Sequence, residues 1–278
     1  MTDRYLLLGE DVNASPSPAM MNAAFAAMDV DGTYEALSVP PSDLEAAFGR
    51  IKDDGVQGLN VTMPHKTAVM HLLDSFDEVS ARVGAVNTVN AERGGYCGYN
   101  TDVDGIIEPL VALELPPFHH AVALGTGGAA RAFCAAMHQT GSRSLTFLSR
   151  DPKKGQTLLE SLRAAFPTMN LRVLSYHDAK SQRPDLVFNA SPAGSGGRPL
   201  PDEVSLLIDS RPIVFDAVYS PVETELMRLA SARGCITIHG YEMLLAQAIK
   251  ALKIWTGRQC PAQPVREALL ASLGVAAT

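Results

Sequence analysis

The sequence contains a lysine and an aspartate whose surroundings suit proton transfer. Lys66 follows a predicted strand at 58–61 and Pro64, and Asp102 follows a predicted strand at 96–99. A lysine ammonium beside a ketone can protonate and stabilise the developing alkoxide, and a neighbouring carboxylate can orient that ammonium. Either residue alone is typical of an ordinary position, a solvated lysine or a turn aspartate. Together with a glycine-rich turn at 125–128, the two predict a dehydrogenase.

The glycine-rich turn follows a predicted strand and opens a predicted helix. Gly125 permits a tight turn, Gly127 lets the backbone approach a pyrophosphate, and the small Ala130 lets the helix pack on the strand. The free N–H groups and positive dipole end of that helix then face the phosphates. This context favours dinucleotide binding over a plain turn.

The second strand of such a unit ends where the 2′-position of the adenosine ribose is read, here residues 149–154. Arg150 and Lys154 favour a 2′-phosphate and therefore NADP. Asp151 favours the free hydroxyl of NAD, unless its carboxylate caps the following helix. The sequence predicts NADP as the cofactor and leaves NAD open.

Alternating short strands and helices must position these groups. Apolar residues at 44, 47, 48 and 51 predict a helix over 43–52, and Pro64 suits the first turn of another helix. Residues 86–90 and 96–99 predict a hairpin, and the last 40 residues predict helices. The alternation of strands and helices predicts an α/β fold with a doubly wound sheet. The remaining strands are predicted at 5–9, 58–61, 121–124, 145–148, 185–189, 213–218 and 237–238, and the remaining helices at 152–165 and 224–233.

Seven motifs follow one another along the chain: Asn60-Val-Thr-Met-Pro-His-Lys66, Ala85-Val-Asn87-Thr-Val, Asn100-Thr-Asp102-x-x-Gly105, Gly125-Thr-Gly-Gly-Ala-Ala-Arg131, Asn189-Ala-Ser-Pro-Ala-Gly194, Asp216-x-x-Tyr219-x-Pro221 and Gly240-x-x-Met243-Leu-x-x-Gln247. In this order they resemble the shikimate dehydrogenase family, which includes quinate/shikimate dehydrogenases. The resemblance runs from Gly9 to Gly257 and implies three segments: a substrate-binding and catalytic domain at 1–104, a Rossmann NAD(P)-binding domain at 105–239, and C-terminal helices at 240–278 that return to the substrate domain.

The resemblance assigns roles to individual residues. Lys66 and Asp102 would form the catalytic pair that interconverts 3-dehydroshikimate and shikimate. Ser15 and Ser17 would bind the substrate carboxylate, Tyr219 would close the site near it, and Asn60, Thr62, Asn87 and Gln247 would bind the hydroxyls. The implied cofactor-binding residues are Gly125, Thr126, Gly127, Gly128, Ala129, Ser149, Arg150, Asp151, Lys154, Asn189, Ser191, Val218 and Gly240.

Two positions depart from the family pattern. Met21 stands where the family usually has histidine, and Pro16 stands where lysine is common. These changes predict a divergent paralogue with an altered substrate or cofactor preference. Two alternatives therefore stay open: an NAD-dependent quinate or shikimate dehydrogenase of catabolism, and a regulatory nucleotide-binding module without catalysis. Retention of both Lys66 and Asp102 argues against the second.

Composition narrows the class of protein. The 278 residues carry a net charge of −7 with no basic block, which disfavours a nucleic-acid partner. No long apolar run predicts a membrane span or a signal peptide, so we expect a cytoplasmic protein, a monomer or a homodimer. The four cysteines lack zinc-site spacing and are predicted to be reduced structural thiols: Cys97, Cys134, Cys235 and Cys260. The adjacent histidines His119 and His120 are predicted to lie in a linker or at a domain edge, and no metal is expected.

Overall fold

The computed structural model describes residues 2–275, which divide into two units. The first unit comprises the residues up to Thr101 together with those from Gln247 onward, and the second comprises Asp102–Ala246. The first unit is therefore discontinuous in sequence. The divisions fall at 101/102 and 246/247, whereas the sequence placed its divisions at 104/105 and 239/240.

The first unit is built on a six-stranded mixed sheet in the order β2-β1-β3-β5-β6-β4. Strand β1 pairs in parallel with β2 and β3, and β5 pairs antiparallel with both β3 and β6. The predicted hairpin is present, with Glu92 opposite Gly95. The strands are β1 (Asp3–Gly9), β2 (Gly32–Ser38), β3 (Gly58–Val61), β4 (Ser75–Phe76), β5 (Thr88–Glu92) and β6 (Gly95–Tyr99).

Helices pack on this sheet through apolar faces. The predicted periodicity of one helix is confirmed, because Leu44, Ala47, Phe48 and Ile51 are all buried. The helices of this unit are α1 (Ser17–Ala27), α2 (Leu44–Asp53) and α3 (Glu78–Val83), joined by α8 (Gly240–Thr256) from Gln247 onward and α9 (Ala262–Ser272).

The C-terminal helices are tied to the N-terminal sheet by Trp255. Its indole Nε1 donates to Val89 O at 2.9 Å, and its ring lies 5.0 Å from that of Tyr5. A Cβ added at Gly58 would lie 2.5 Å from Trp255 Nε1, so the indole packs directly on the strand backbone. Helix α9 packs against α1.

The predicted helix that starts at Pro64 is wrong. The chain makes turns through residues 63–67, and a short 3-10 helix follows at Ala68–Leu72. His65 explains the difference: its N–H donates to Thr62 O at 2.9 Å, and its buried ring bonds Val39 O at 2.7 Å. This tertiary anchor outweighs the local preference for a helix.

The second unit contains a six-stranded sheet whose pairings are all parallel, in the order β12-β11-β10-β7-β8-β9. The predicted doubly wound α/β fold is thereby confirmed. Strand β11 ends two residues earlier than predicted, because Val218 N–H donates to the Asp216 carboxylate instead of to a neighbouring strand.

The bounds of the elements in this unit complete the description. The strands of this unit are β7 (Ala121–Leu124), β8 (Ser144–Leu148), β9 (Asn170–Leu174), β10 (Leu186–Asn189), β11 (Ile213–Asp216) and β12 (Thr237–Ile238). Its helices include α4 (Asp102–Val111), α5 (Gly128–Gln139), α6 (Pro152–Ala165) and α7 (Glu225–Ala232). All four cysteines are free thiols. No helix in the described part of the chain is both long and apolar enough to cross a bilayer.

Candidate active site

The glycine turn joins β7 to α5 with the geometry that a pyrophosphate needs. Gly125 has φ +98°, and a Cβ there would lie 3.1 Å from Ser191 Cβ, so a side chain would be both strained and crowded. Gly127 is the N-cap of α5 and provides no side-chain cap. The first turn of α5 can therefore direct its N–H groups to a phosphate. Thr126, Gly128 and Ala129 lie along this turn, and Ala130 is buried as predicted.

The end of β8 separates the two residues that the sequence set against each other. The Asp151 carboxylate caps α6, accepting from Lys153 N at 2.9 Å and from Lys154 N at 3.2 Å. Ser149 is buried and its hydroxyl donates to Asp151 O, which fixes the turn. Arg150 is exposed and borders a cavity. The acidic side chain is thus engaged by the helix, while Arg150 lines the cavity.

That cavity has a volume of about 300 Å³ and lies at the carboxyl ends of β8, β9 and β10. Burial raises the pKa of the Tyr176 phenol, while the positive charge of Arg150 and a hydrogen bond with Ser191 act in the opposite direction. Ligands of doubly wound sheets bind at this edge. The residues that line the cavity are Arg150, Tyr176, Ser191, Ala193, Arg198, Pro199 and Pro201.

A buried polar network organises the loops after β10 and β11. The Asn189 amide donates to Ala193 O at 3.0 Å and to Asp216 Oδ1 at 2.9 Å, while its oxygen accepts from the Ser191 N–H and hydroxyl. Asp216 also accepts from Thr224 Oγ1 at 2.6 Å. Burial raises the pKa of the Asp216 carboxyl to about 6, although these hydrogen bonds lower it. Asn189 therefore shapes the loop from inside the protein.

Gly240 allows two backbone segments of the second unit to touch. A Cβ there would lie 2.5 Å from Val218 O, so any side chain would displace that carbonyl. Val218 is buried and Tyr219 is half-buried. The predicted cofactor residues Val218 and Gly240 thus lie in contact, and Tyr219 directly follows Val218 in the chain.

The first unit brings the two predicted carboxylate-binding serines together. Ser15 Oγ donates to Ser17 Oγ at 3.1 Å and accepts from Ser17 N at 3.2 Å. Pro16 is the N-cap of α1 with φ −73°, which suits proline. The two departures are therefore structurally accommodated, since Met21 is fully buried in the core of this unit.

Asn60 is held by a residue that the sequence did not single out. The Tyr34 hydroxyl donates to Asn60 Oδ1 at 2.8 Å, and Asn60 Nδ2 donates to Thr88 Oγ1 at 3.1 Å. Tyr34 is itself fixed by Asn22, whose amide bonds both the N–H and the C=O of Tyr34. Asn60 is thereby locked into a single orientation.

A second cluster surrounds Asn87. Its Oδ1 accepts from Thr101 N at 2.7 Å, and its Nδ2 donates to Thr101 Oγ1 at 3.1 Å and to Gln247 Oε1 at 3.4 Å. Thr88 Oγ1 lies 2.9 Å from Thr101 Oγ1 and joins this cluster to Asn60. Three predicted hydroxyl-binding residues, Asn60, Asn87 and Gln247, therefore belong to one connected network.

Thr62 and Lys66 follow β3 in the same unit. Gly9 makes room for Thr62, because a Cβ at Gly9 would lie 2.5 Å from Thr62 Cγ2. The Lys66 carbonyl accepts from Val86 N at 2.8 Å, which anchors the lysine backbone one residue from Asn87. Lys66 itself is half-buried.

Asp102 is buried and begins α4 as the first residue of the second unit. It directly follows Thr101, whose N–H is bonded to Asn87. Sequence reasoning did not assign a role to five polar residues that the structure places in the hydrogen-bond network or the cavity lining: Tyr34, Thr88, Thr101, Tyr176 and Arg198. Their placement depends on strand order, which the sequence does not show directly. In residues 2–275, no group of three His, Cys, Asp or Glu side chains could hold a metal ion.

Comparison with known proteins agrees with this geometry. Residues 7–89 match the shikimate dehydrogenase substrate binding domain, and residues 240–270 match the shikimate 5'-dehydrogenase C-terminal domain. A shikimate dehydrogenase (NADP(+)) of Moorella thermoacetica is 40% identical over 98% of this chain and 96% of its own length.

Two solved structures extend the likeness to the fold. The shikimate 5-dehydrogenase of Thermus thermophilus in complex with NADP(H) and shikimate has a TM-score of 0.85 and 31% identity, covering 98% of this chain and 100% of its own. The quinate dehydrogenase of Corynebacterium glutamicum in complex with NAD has a TM-score of 0.88 and 30% identity, covering 97% and 99%.

Proposed function

The chain belongs to the shikimate dehydrogenase family, and we propose that it interconverts 3-dehydroshikimate and shikimate with NADP. The connected network of neutral hydroxyl and amide groups in the first unit carries this proposal. Such groups donate and accept hydrogen bonds without a fixed charge, which suits the several hydroxyls of a polyol acid. Ser15 and Ser17 add adjacent hydroxyls for its carboxylate.

Lys66 and Asp102 would act as the acid–base pair. In the reductive direction, the Lys66 ammonium gives a proton to the carbonyl oxygen as that oxygen becomes an alcohol, and the Asp102 carboxylate orients the ammonium. Retention of both residues, within motifs that resemble those of the family, supports this pairing. In the first unit, Lys66 O accepts from Val86 N, which fixes the backbone of the lysine.

The second unit would hold the cofactor, which supplies the hydride when it is bound. The turn Gly125–Gly127 and the N-terminus of α5 suit its pyrophosphate, and Gly240 with Val218 shapes a further backbone wall. Arg150 suits a 2′-phosphate because a guanidinium can bind phosphate in a bidentate manner. Asp151 opposes this less than its charge suggests, since its carboxylate accepts two α6 N–H groups.

The decisive experiment replaces Lys66 with alanine. We expect turnover of shikimate with NADP to fall by roughly 10²–10⁴-fold, because a positioned general acid–base group supplies about that much. The affinity for NADP, measured by calorimetry, should stay unchanged because the glycine turn is untouched.

Lys253→Ala provides the matched control, since Lys253 is an exposed lysine on α8 away from the polar network. It should retain the activity of the unaltered protein. Turnover by Lys66→Ala within about threefold of the unaltered protein would remove Lys66 from the mechanism, because such a change is far below the usual acid–base contribution.

A second candidate function is the NAD-dependent oxidation of quinate or shikimate. It is favoured by the likeness to the Corynebacterium glutamicum quinate dehydrogenase, whose structure was solved in complex with NAD. The ratio kcat/KM for shikimate and for quinate, each with NADP and with NAD, separates the candidates. A preference for quinate with NAD would select the second.

A further inference from the structure

We propose that Arg198 is a second specificity-determining residue, which joins Arg150 in binding the 2′-phosphate of NADP. Both guanidinium-bearing residues line the same cavity, Arg150 from the end of β8 and Arg198 from the loop after β10. The inference rests on the proposed use of NADP and assigns a role to a glycine-rich loop that the catalytic scheme leaves without one.

The loop that carries Arg198 is closed on itself. Gly194 N–H donates to Arg198 O at 2.8 Å, and Arg198 N–H donates to Ser195 O at 3.0 Å. Gly194, Gly196 and Gly197 have φ values of +90°, +56° and +73°, which residues with side chains rarely adopt. The sequence of the loop therefore sets a compact turn that ends on an arginine.

The buried network fixes the base of this turn. Asn189 Nδ2 donates to Ala193 O at 3.0 Å, and Ser191 Oγ accepts from Ala193 N at 3.2 Å. Asn189 is fully buried and is held in turn by Asp216. Arg198 is thus attached to a rigid support at the edge of the sheet, although its own side chain is exposed.

The electrostatics of the cavity suit a dianion. The residues that line it are two arginines, a tyrosine, a serine, an alanine and two prolines, so this described lining holds two positive charges and no carboxylate. The adjacent Asp151 carboxylate is engaged in capping α6. A phosphate monoester carries a charge of about −1.5 to −2 at pH 7, which two guanidinium groups would balance.

The position of the cavity relative to the glycine turn favours the 2′-phosphate, rather than the pyrophosphate, as the group bound by the two arginines. The pyrophosphate suits the glycine turn, where Ser191 lies against Gly125. Ser191 also lines the cavity, so the cavity adjoins the path of a dinucleotide that crosses the turn. Arg150 stands at the strand end where the adenosine ribose is read. Arg198 therefore faces the ribose end of the cofactor.

The test compares two small probes that differ at the 2′-position. Adenosine 2′,5′-bisphosphate carries the 2′-phosphate, and adenosine 5′-monophosphate lacks it. Calorimetry at low ionic strength should show that Arg198→Ala weakens the bisphosphate about tenfold and the monophosphate less than about twofold, since charge-assisted bonds at an exposed site are partly screened. Arg198→Lys should recover part of the loss, because it keeps the charge without the planar fork.

Arg228→Ala, which removes an exposed arginine on α7, should bind both probes like the unaltered protein. Equal binding of the bisphosphate by Arg198→Ala and the unaltered protein would overturn the inference, while Arg150→Ala could still show the loss that NADP use requires. Failure of the unaltered protein to prefer the bisphosphate would overturn both arginine roles and the choice of NADP. Selective bisphosphate binding without turnover of shikimate would instead refute the proposed substrate.

Discussion

Replacement of Asp216 by asparagine tests the buried network through the pH dependence of stability. Burial raises the pKa of this carboxyl to about 6 from an ordinary value of 3.8, despite hydrogen bonds from Thr224, Val218 and Asn189. Between these pH values the folded protein keeps a proton that the unfolded chain releases. The contribution of Asp216 to the free energy of unfolding therefore falls as the pH rises through this interval.

The size of the effect follows from the two pKa values. A difference of about 2 pH units corresponds to about 3 kcal/mol. In Asp216→Asn the amide oxygen can still accept from Val218 N and Asn189 Nδ2, both at 2.9 Å, and Thr224 Oγ1 can accept from the new amide. The stability of the variant minus that of the unaltered protein should therefore rise by about 2–3 kcal/mol from about pH 4 to about pH 7.

Urea unfolding followed by far-ultraviolet circular dichroism measures this difference at each pH. The only tryptophan, Trp255, lies in the other unit and does not report on Asp216 directly. Asp178→Asn is the control of opposite sign: hydrogen bonds from the Ser175 side chain and backbone lower the pKa of Asp178, so its stabilising contribution is lost as the pH falls. A stability difference for Asp216→Asn that does not vary with pH would refute the reasoning.

Two further substitutions probe the substrate network. Gly9→Ala places a methyl group 2.5 Å from both Thr62 Cγ2 and Val12 Cγ1. It should raise the KM for shikimate about tenfold, with NADP affinity unchanged, if the displaced Thr62 hydroxyl loses one hydrogen bond to the substrate. Gly49→Ala, with open space around it, should leave KM unaltered, and an equal KM in both variants would separate Thr62 from the substrate. Tyr34→Phe removes the donor to Asn60 and should cost about 1–3 kcal/mol in stability while raising KM. Tyr96→Phe, which loses a bond to Val56 O, should lower stability alone, so a KM that rises equally in both would contradict the positioning role of Tyr34.

Local patterns predicted the elements whose neighbours in space are also neighbours in sequence. The periodic Leu44, Ala47, Phe48 and Ile51 predicted α2, and the turn at 92–95 predicted the β5–β6 hairpin. The glycine turn was predictable for the same reason, since its strand and helix are adjacent in the chain. In contrast, α1 begins at Ser17 beside two prolines, and no cap or charge pattern marks it strongly.

Strand order decided what sequence could not supply. Strands β8 and β10 flank β7 in the sheet, so the loops that follow them lie at the same edge. This arrangement places Arg150 and Arg198 on one cavity although the two residues are far apart in the chain. Tyr34 reaches Asn60 for a similar reason, because β1 separates β2 from β3. The roles of Lys66, Asp102 and the other site residues stay predictions until the substitutions are made.

The contact of Trp255 with Gly58 has a consequence for synthesis on the ribosome. The strands that it covers emerge early, whereas the indole emerges only after the whole of Asp102–Ala246. At roughly 5–20 residues per second, that interval is on the order of ten seconds or more. During this interval the aromatic surface around Tyr5 lacks its contact with Trp255, while the contiguous second unit can fold first. Chaperones that bind exposed apolar surface should meet this chain chiefly through its earliest residues.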